Sequence, residues 1–308
     1  MSAQMQLRTE ASSQQPVRDV RVRELTIPTP DGFPLAGTLF EGAGNEPLVL
    51  ISGATAVPRG FYAAFAKALV EAGARAALVY DYRGVGGSRR PGDWKRRIDY
   101  KDWALVDMPA AAAALDAVEP GHAMVGLGQS YGGQALGLCG IADRFRRYGM
   151  VATMTGYHRL LDDRTVWARM NLVGVPVSLL FRDTPHWLGI GEPMPSSCFR
   201  DWARWCRYPD YFFGDPDVPE TERFASVTTP ILAIGLTDDP WANPRAVAAF
   251  MKHYENAPVE IRWLSPEDGG RQHIGHLGFF RSRFAETLWP PFIAWLLEGR
   301  AMTLGSAG

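Results

Sequence analysis

The chain has 308 residues, which fits one large domain or two ordinary ones. Its 32 basic and 33 acidic residues give a net charge of −1. No basic excess exists to neutralise phosphates, and nucleic-acid binding is disfavoured. Hydrophobic residues make up 46% and charged residues 21%, which excludes disorder of the whole chain.

Met1 to Arg18 is polar and rich in Ser and Gln, without the apolar stretch of a signal peptide. Residues 1–20 are expected to be a flexible tail. Arg21 to Ile27 alternates as a strand does, Asp31-Gly32 signals a hairpin turn, and Pro34 to Phe40 reads as the return strand. Pro47 to Ser52 is a continuous apolar run, as in a buried parallel strand. Phe61 to Ala72 has helical periodicity and stops at Gly73. Arg75 to Tyr82 is the next strand, and Asp102 to Val118 is an Ala-rich helix. His122 to Gln129 is a strand, Ser130 to Ala142 a helix, and Gly149 to Thr155 another strand.

The rhythm then breaks. Residues 156–228 contain no buried-strand pattern but many aromatics, and a helical cap over one end of the sheet is expected. Leu172 to Phe181 is apolar but too short to span a bilayer, and Gly174 and Pro176 interrupt it. It reads as a core or lid segment. Strand and helix resume with Pro230 to Leu236, Arg245 to Tyr254 and Val259 to Leu264. Phe284 to Leu297 closes the order as a helix that Pro290 and Pro291 should kink or divide. The order predicts an α/β fold: a mostly parallel central sheet with helices on both faces. Its core would be residues 21–155 and 229–300, with a C-terminal tail at 301–308.

Gly128-Gln129-Ser130-Tyr131-Gly132-Gly133 lies between a predicted strand and a predicted helix. A serine on so tight a turn needs small neighbours, and the turn exposes its hydroxyl at the carboxyl edge of the sheet. Gly-x-Ser-x-Gly alone is a weak signal; the strand–turn–helix setting strengthens it. The bland reading is a glycine-rich helix start that merely packs closely. A serine hydroxyl needs a base. His276, between Gly275 and Leu277 and after the last strand, is the candidate; His273 is its rival. The third member is a carboxylate after the penultimate strand, in Thr237-Asp238-Asp239-Pro240. Asp239 is favoured over Asp238, the other aspartate then capping a turn or bonding to backbone. Backbone N–H groups of Tyr131 and Ala54 are the expected oxyanion donors.

Asp81-Tyr82-Arg83-Gly84-Val85-Gly86-Gly87-Ser88 superficially suggests a phosphate loop but lacks its lysine. It reads as a structural loop tied by Asp81 and Arg83. No His-Glu-x-x-His or cysteine cluster supports a metal, and no organic cofactor is called for. Cys139, Cys198 and Cys206 are widely spaced and suit a reduced, cytoplasmic protein, a Cys198–Cys206 bridge being the lesser alternative.

At these residues the chain resembles an α/β-hydrolase, from about Val20 to Arg300. The motifs run in order: Ser52-Gly53-Ala54-Thr55, the Asp81 to Ser88 loop, Gly128 to Gly132, Asp239 and His276. The segments Ile274 to Arg281 and Trp202 to Cys206 are similar to a bacterial branch loosely called serine aminopeptidase-like or lysophospholipase-like. Two departures stand out. The family's proline four residues after the acid is here Asn243, with Pro244 one later, and the oxyanion loop lacks His-Gly-Gly-Gly.

The resemblance implies a serine hydrolase of a carboxylic ester, thioester or amide, with Ser130, Asp239 and His276 as triad. Acyl transfer to an alcohol or amine is the alternative, followed by a peptidase and a binding protein that has kept the fold. The expected partner is a small-molecule acyl substrate, with no nucleic acid and no stable membrane insertion; a homo-oligomer stays open. Trp187, Met194, Trp202, Trp205, Tyr211 and Phe213 are candidates for cap core or pocket wall, with core favoured.

Overall fold

The computed structural model describes residues 19–45 and 47–303. Most of the expected N-terminal tail, and the C-terminal tail from residue 304, lie outside the described residues. The sheet is built from β1 (Arg21–Pro28), β2 (Pro34–Glu41), β3 (Leu48–Ser52), β4 (Ala76–Tyr80), β5 (Met124–Gln129), β6 (Phe145–Val151), β7 (Ile231–Leu236) and β8 (Val259–Leu264). Their spatial order is β1-β2-β4-β3-β5-β6-β7-β8. β1 pairs antiparallel with β2, and β2 with β4; every other pair is parallel. Every residue of β3, β4, β5 and β7 is buried, which explains their unbroken apolar runs.

Helices cover both faces. On one lie α1 (Ala63–Glu71) and α9 (Trp289–Glu298), where Phe65 meets Trp289 edge-on at 5.1 Å. On the other lie α2 (Met108–Asp116), α3 (Tyr131–Leu138) and α7 (Pro244–Met251). There Tyr131 of α3 packs edge-on against Trp103, and Tyr254, just beyond α7, donates to the Gly133 carbonyl. Between β6 and β7 come the helices α4 (Val166–Ala168), α5 (Val175–Leu180) and α6 (Ser196–Trp205), with short 3-10 turns. The short helix α8 (Gly275–Gly278) follows β8.

Several expected boundaries shift for local reasons. β6 runs from Phe145 to Val151, not from Gly149 to Thr155. Its first half carries Arg146 and Arg147, which mask the apolar pattern, and Ala152 at φ 52 turns the chain out of the sheet. α3 stops at Leu138 because Gly140 adopts φ +71. Pro290 and Pro291 neither kink nor divide the last helix. They occupy its first turn, where a missing N–H costs nothing, and a 3-10 turn at Ser282–Phe284 precedes them. A π-helical turn, Trp103–Asp107, leads into α2 just before Pro109, and another, Arg169–Gly174, leads into α5 just before Pro176. The wider turn accommodates a ring that would clash with the carbonyl four residues back.

The Asp81 to Ser88 loop is pinned from inside. Asp81 accepts from the Arg59 and Gly87 amides at 2.6 and 2.8 Å and pairs with the Arg59 guanidinium. Arg83 is fully buried and ties three elements together: its Nε donates to Asp107 at 2.7 Å and its Nη1 to Asp31 in the hairpin turn at 2.8 Å. Burial opposes the Arg83 charge, but Asp107 and Asp31 outweigh it and hold the guanidinium protonated. The loop's polar groups are thus spent on the fold.

Candidate active site

β5 ends at Gln129, and the next residue turns sharply into α3. Ser130 sits at φ 51, ψ −111, a conformation strained for a residue with a side chain. The turn is held because Ser130 donates its N–H to Val151 at 2.9 Å, while its carbonyl accepts from Gly133, Gln134 and Thr153. Its glycines are required by close approach. A Cβ on Gly128 would collide with Gly132, one on Gly132 with the Ser52 carbonyl, and one on Gly133 with Thr153. The result is a nearly buried serine whose Oγ points away from the sheet edge toward the loop after β8.

His276 reaches it from α8. His276 Nε2 lies 3.1 Å from Ser130 Oγ, and Nδ1 lies 2.7 Å from Asp239 Oδ2. A carboxylate only accepts, so this contact puts the proton on Nδ1 and leaves Nε2 free to accept from the serine hydroxyl. The Asp239 side chain is wholly buried, and its other oxygen accepts from the Trp241 amide at 2.8 Å. Asp239 follows β7 directly, so the sheet fixes its position.

Asp238 does something different. It accepts from the amides of Ile274 at 2.7 Å and Gly275 at 3.0 Å, and pairs with His273 Nδ1 at 2.7 Å. It thereby holds the loop that carries His276. His273 is largely exposed, and it is His276 that reaches Ser130. Asn243, standing where the family has proline, caps α7: its Oδ1 accepts from Ala246 at 3.0 Å, and its Nδ2 donates to the Leu160 carbonyl.

The two expected oxyanion donors differ. The Tyr131 N–H, at the first position of α3, has no acceptor among the described residues. The Ala54 N–H is not free in this way: it donates to Tyr62 Oη at 2.8 Å. Tyr62 in turn donates to Gln129 Oε1 at 2.6 Å, and Gln129 Nε2 donates to the His276 carbonyl at 2.9 Å. One buried chain of bonds thus joins the loop after β3, the serine turn and the histidine loop. Sequence reading missed Tyr62 and Gln129. The available signal was a glutamine in a position flanked by Gly128 and Ser130, where a polar side chain must point into the fold.

The cap meets the core through stacked aromatics. Tyr131 stacks on Tyr100 at 4.3 Å, and Tyr100 on Trp205 of α6 at 5.4 Å. Beside the site, Trp241 lies 5.9 Å from His276 and 5.9 Å from Trp202. Trp202 and Trp241 then line a cavity of about 150 Å³ with Arg169, Met170, Ile190 and Phe199. Of the six cap residues considered from the sequence, Trp202 alone lines this cavity. Met194, Trp205 and Tyr211 are buried, Phe213 stacks on His253, and Trp187 is exposed. No cluster among the described residues could hold a metal ion, and all three cysteines are free and buried.

A serine on a strained strand-to-helix turn, opposite a histidine held by an aspartate at the edge of a mostly parallel sheet, belongs with hydrolases of one architecture. Residues 48–287 match the profile of the alpha/beta hydrolase family, and the chain is a member of that family. No curated protein matches it. Among solved structures it is similar to an esterase of Pyrococcus furiosus, at 17% identity and TM-score 0.56 over 92% of this chain and 94% of that one. It is also similar to a soluble variant of monoglyceride lipase from Saccharomyces cerevisiae in complex with a substrate analog, at 13% identity and TM-score 0.62, over 96% and 100%. An esterase domain from a Rhodothermus marinus protein aligns at 16% identity and TM-score 0.56, over 89% and 97%. At these identities the likeness is one of fold.

Proposed function

We propose that the protein is a serine hydrolase of carboxylic esters, working through an acyl-enzyme on Ser130. The observation that carries this reading is the line Ser130 Oγ, His276 Nε2, His276 Nδ1, Asp239 Oδ2, with contacts of 3.1 and 2.7 Å. Ser130 Oγ attacks the acyl carbon as its proton passes to His276 Nε2. Asp239 holds the imidazole in the needed tautomer and stabilises the imidazolium. The Tyr131 N–H donates to the developing oxyanion, and the Ala54 N–H is a second donor that must be shared with Tyr62. His276 then protonates the leaving alkoxide, and the alcohol departs. Water attacks the acyl-enzyme with its proton going to His276; the acid leaves and Ser130 is restored.

The cavity between Trp241 and Phe199 takes an apolar part of the substrate, in keeping with concave sites that hold few polar groups. Three free, buried cysteines suit a reducing, cytoplasmic setting. The test is turnover of a panel of esters, thioesters and amides by wild type and Ser130→Ala, with and without alcohol and amine acceptors. Ester hydrolysis that Ser130→Ala abolishes is expected. Product formed only when an acceptor is present would replace hydrolysis with acyl transfer. Turnover retained by Ser130→Ala would refute the reading.

A further inference from the structure

The segment from Val166 to Leu180 runs as one continuous helical stretch through α4, the π-helical turn and α5. Its inward stripe is Val166, Met170, Gly174 and Ser178, four residues apart and all buried. Gly174 faces Phe199 of α6 so closely that a Cβ there would collide with the ring. Its outward stripe is Leu172, Val173, Leu179 and Leu180, with Leu172, Leu179 and Leu180 exposed at 64, 69 and 80%. Phe181 follows and is also exposed. This is the reverse of a helix on a water-facing surface, which turns its large apolar residues inward. The sequence leaves Leu172 to Phe181 as core or lid; in the structure Gly174 and Ser178 of this stretch are buried, while Leu172, Leu179, Leu180 and Phe181 face out, so it is not core.

The cleft beside the outward stripe is rich in basic side chains. Lys95, Arg182 and Arg200 line one cleft with Leu179, Leu180 and Phe181. Arg182 and Arg200 donate to the carbonyls of Trp94 and Ser178, and no carboxylate among the described residues forms an ion pair with any of the three cations. The neighbouring Arg90, Arg96 and Arg97 are neutralised by Asp183, by Asp31 and Asp102, and by Asp99 and Asp201. The exposed leucines are thus flanked by Lys95 and Arg200, which form no ion pair with a described carboxylate, and by Arg182, which shares the field of Asp183 with Arg90 without pairing to it.

We infer that this outward stripe is a docking surface for an anionic lipid bilayer, entered reversibly by Leu172, Leu179, Leu180 and Phe181 and held by Lys95, Arg182 and Arg200. An amphipathic helix with a cationic border binds a membrane by burying its apolar face at the level of the headgroups. No helix of the described residues is long and apolar enough to cross a membrane, so the contact is peripheral. A second copy fits poorly. A two-fold pairing through this stripe would gather Lys95, Arg182 and Arg200 of both copies around one apolar seam. The binding itself stands apart from the hydrolase reading; only its use, bringing amphipathic esters to the cap, rests on that reading.

The test is co-sedimentation of the full chain with vesicles of phosphatidylcholine, with and without phosphatidylserine. Ser130→Ala protein is used so that lipid is not consumed, and binding is read whether or not the chain is a hydrolase. Binding to the anionic vesicles, weakened by salt, is expected. Leu179→Ser with Leu180→Ser is expected to weaken it roughly thirtyfold, and Lys95→Gln with Arg182→Gln roughly tenfold. In the otherwise wild-type chain, the leucine pair should leave turnover of a water-soluble ester unchanged, which also reports that it folds. Absence of binding, equal binding to neutral and anionic vesicles, or undiminished binding by the leucine variant would each overturn the inference. A dimer in sedimentation equilibrium that the leucine variant dissolves would assign the stripe to a second copy instead.

Discussion

The carboxyl edge of the sheet and the cap over it are built on opposite principles. At the sheet edge, the side chains of Ser130, His276, Asp239 and Gln129 all have named partners, and backbone approaches are so close that glycine is required at 128, 132 and 133. Between β6 and β7, residues 166–180 pack through Val166, Met170, Gly174 and Ser178 and turn leucines to solvent. The edge is over-determined and holds a strained serine in place. The cap is under-committed on one side and keeps a surface for something else.

Substitutions should separate the two regions by size of effect. The largest is expected at the edge: Asp239→Asn should lower kcat by about 10⁴-fold through the wrong histidine tautomer. Asp238→Asn keeps one of the two oxygens that accept from Ile274 and Gly275, turns an amide donor toward the other N–H and loses the charge facing His273; it loosens the loop without changing the histidine tautomer and should cost less than Asp239→Asn. Equal losses in the two would break the distinction between the neighbouring carboxylates; steady-state kinetics on one ester decides it. Next comes Arg83→Ala, which leaves Asp107 buried without its cation and should cost about 3–5 kcal/mol in urea unfolding. Gly132→Ala, which drives a methyl into the Ser52 carbonyl, should cost about 3 kcal/mol. In the cap, Leu179→Ser should change stability by no more than about 0.5 kcal/mol; a larger loss would mean that the stripe is structural.

A pH-dependent test probes the hairpin. Burial pushes the Asp31 carboxyl up, but bonds from Arg83 and Thr29 and the Arg83 charge outweigh it and hold it at about 2. The folded value lies below the unfolded one, so the contribution is present above about pH 4 and is lost as pH falls toward 2. Asp31 is partly exposed, and solvent screens the effect. Asp31→Asn should therefore flatten the acid limb of a stability–pH profile and leave Asp239-dependent turnover at neutral pH unaltered.

What could be read in the sequence follows the same division. The buried strands were legible because parallel strands covered on both faces show unbroken apolar runs. The serine turn was legible because close approach leaves glycine as the one residue that fits. Asp239 against Asp238 was not decided by spacing alone, since adjacent residues at a strand end point in different directions only once the fold is built. The Ala54–Tyr62–Gln129 chain was illegible because Tyr62 and Gln129 stand 67 residues apart and meet only in the folded core. β6 was displaced because Arg146 and Arg147 hide a strand that starts among charges. Core and lid could not be told apart for Leu172 to Phe181, because burial cannot be inferred from apolarity when the apolar face is the outer one.

The most direct test of the account is a fluorophosphonate probe on the folded protein, with the modified peptide identified by mass spectrometry. Labelling at Ser130 is expected, lost in Ser130→Ala and strongly slowed in Asp239→Asn. Absence of label on the folded wild type, or label on another residue, would contradict the claim that His276 and Asp239 activate Ser130.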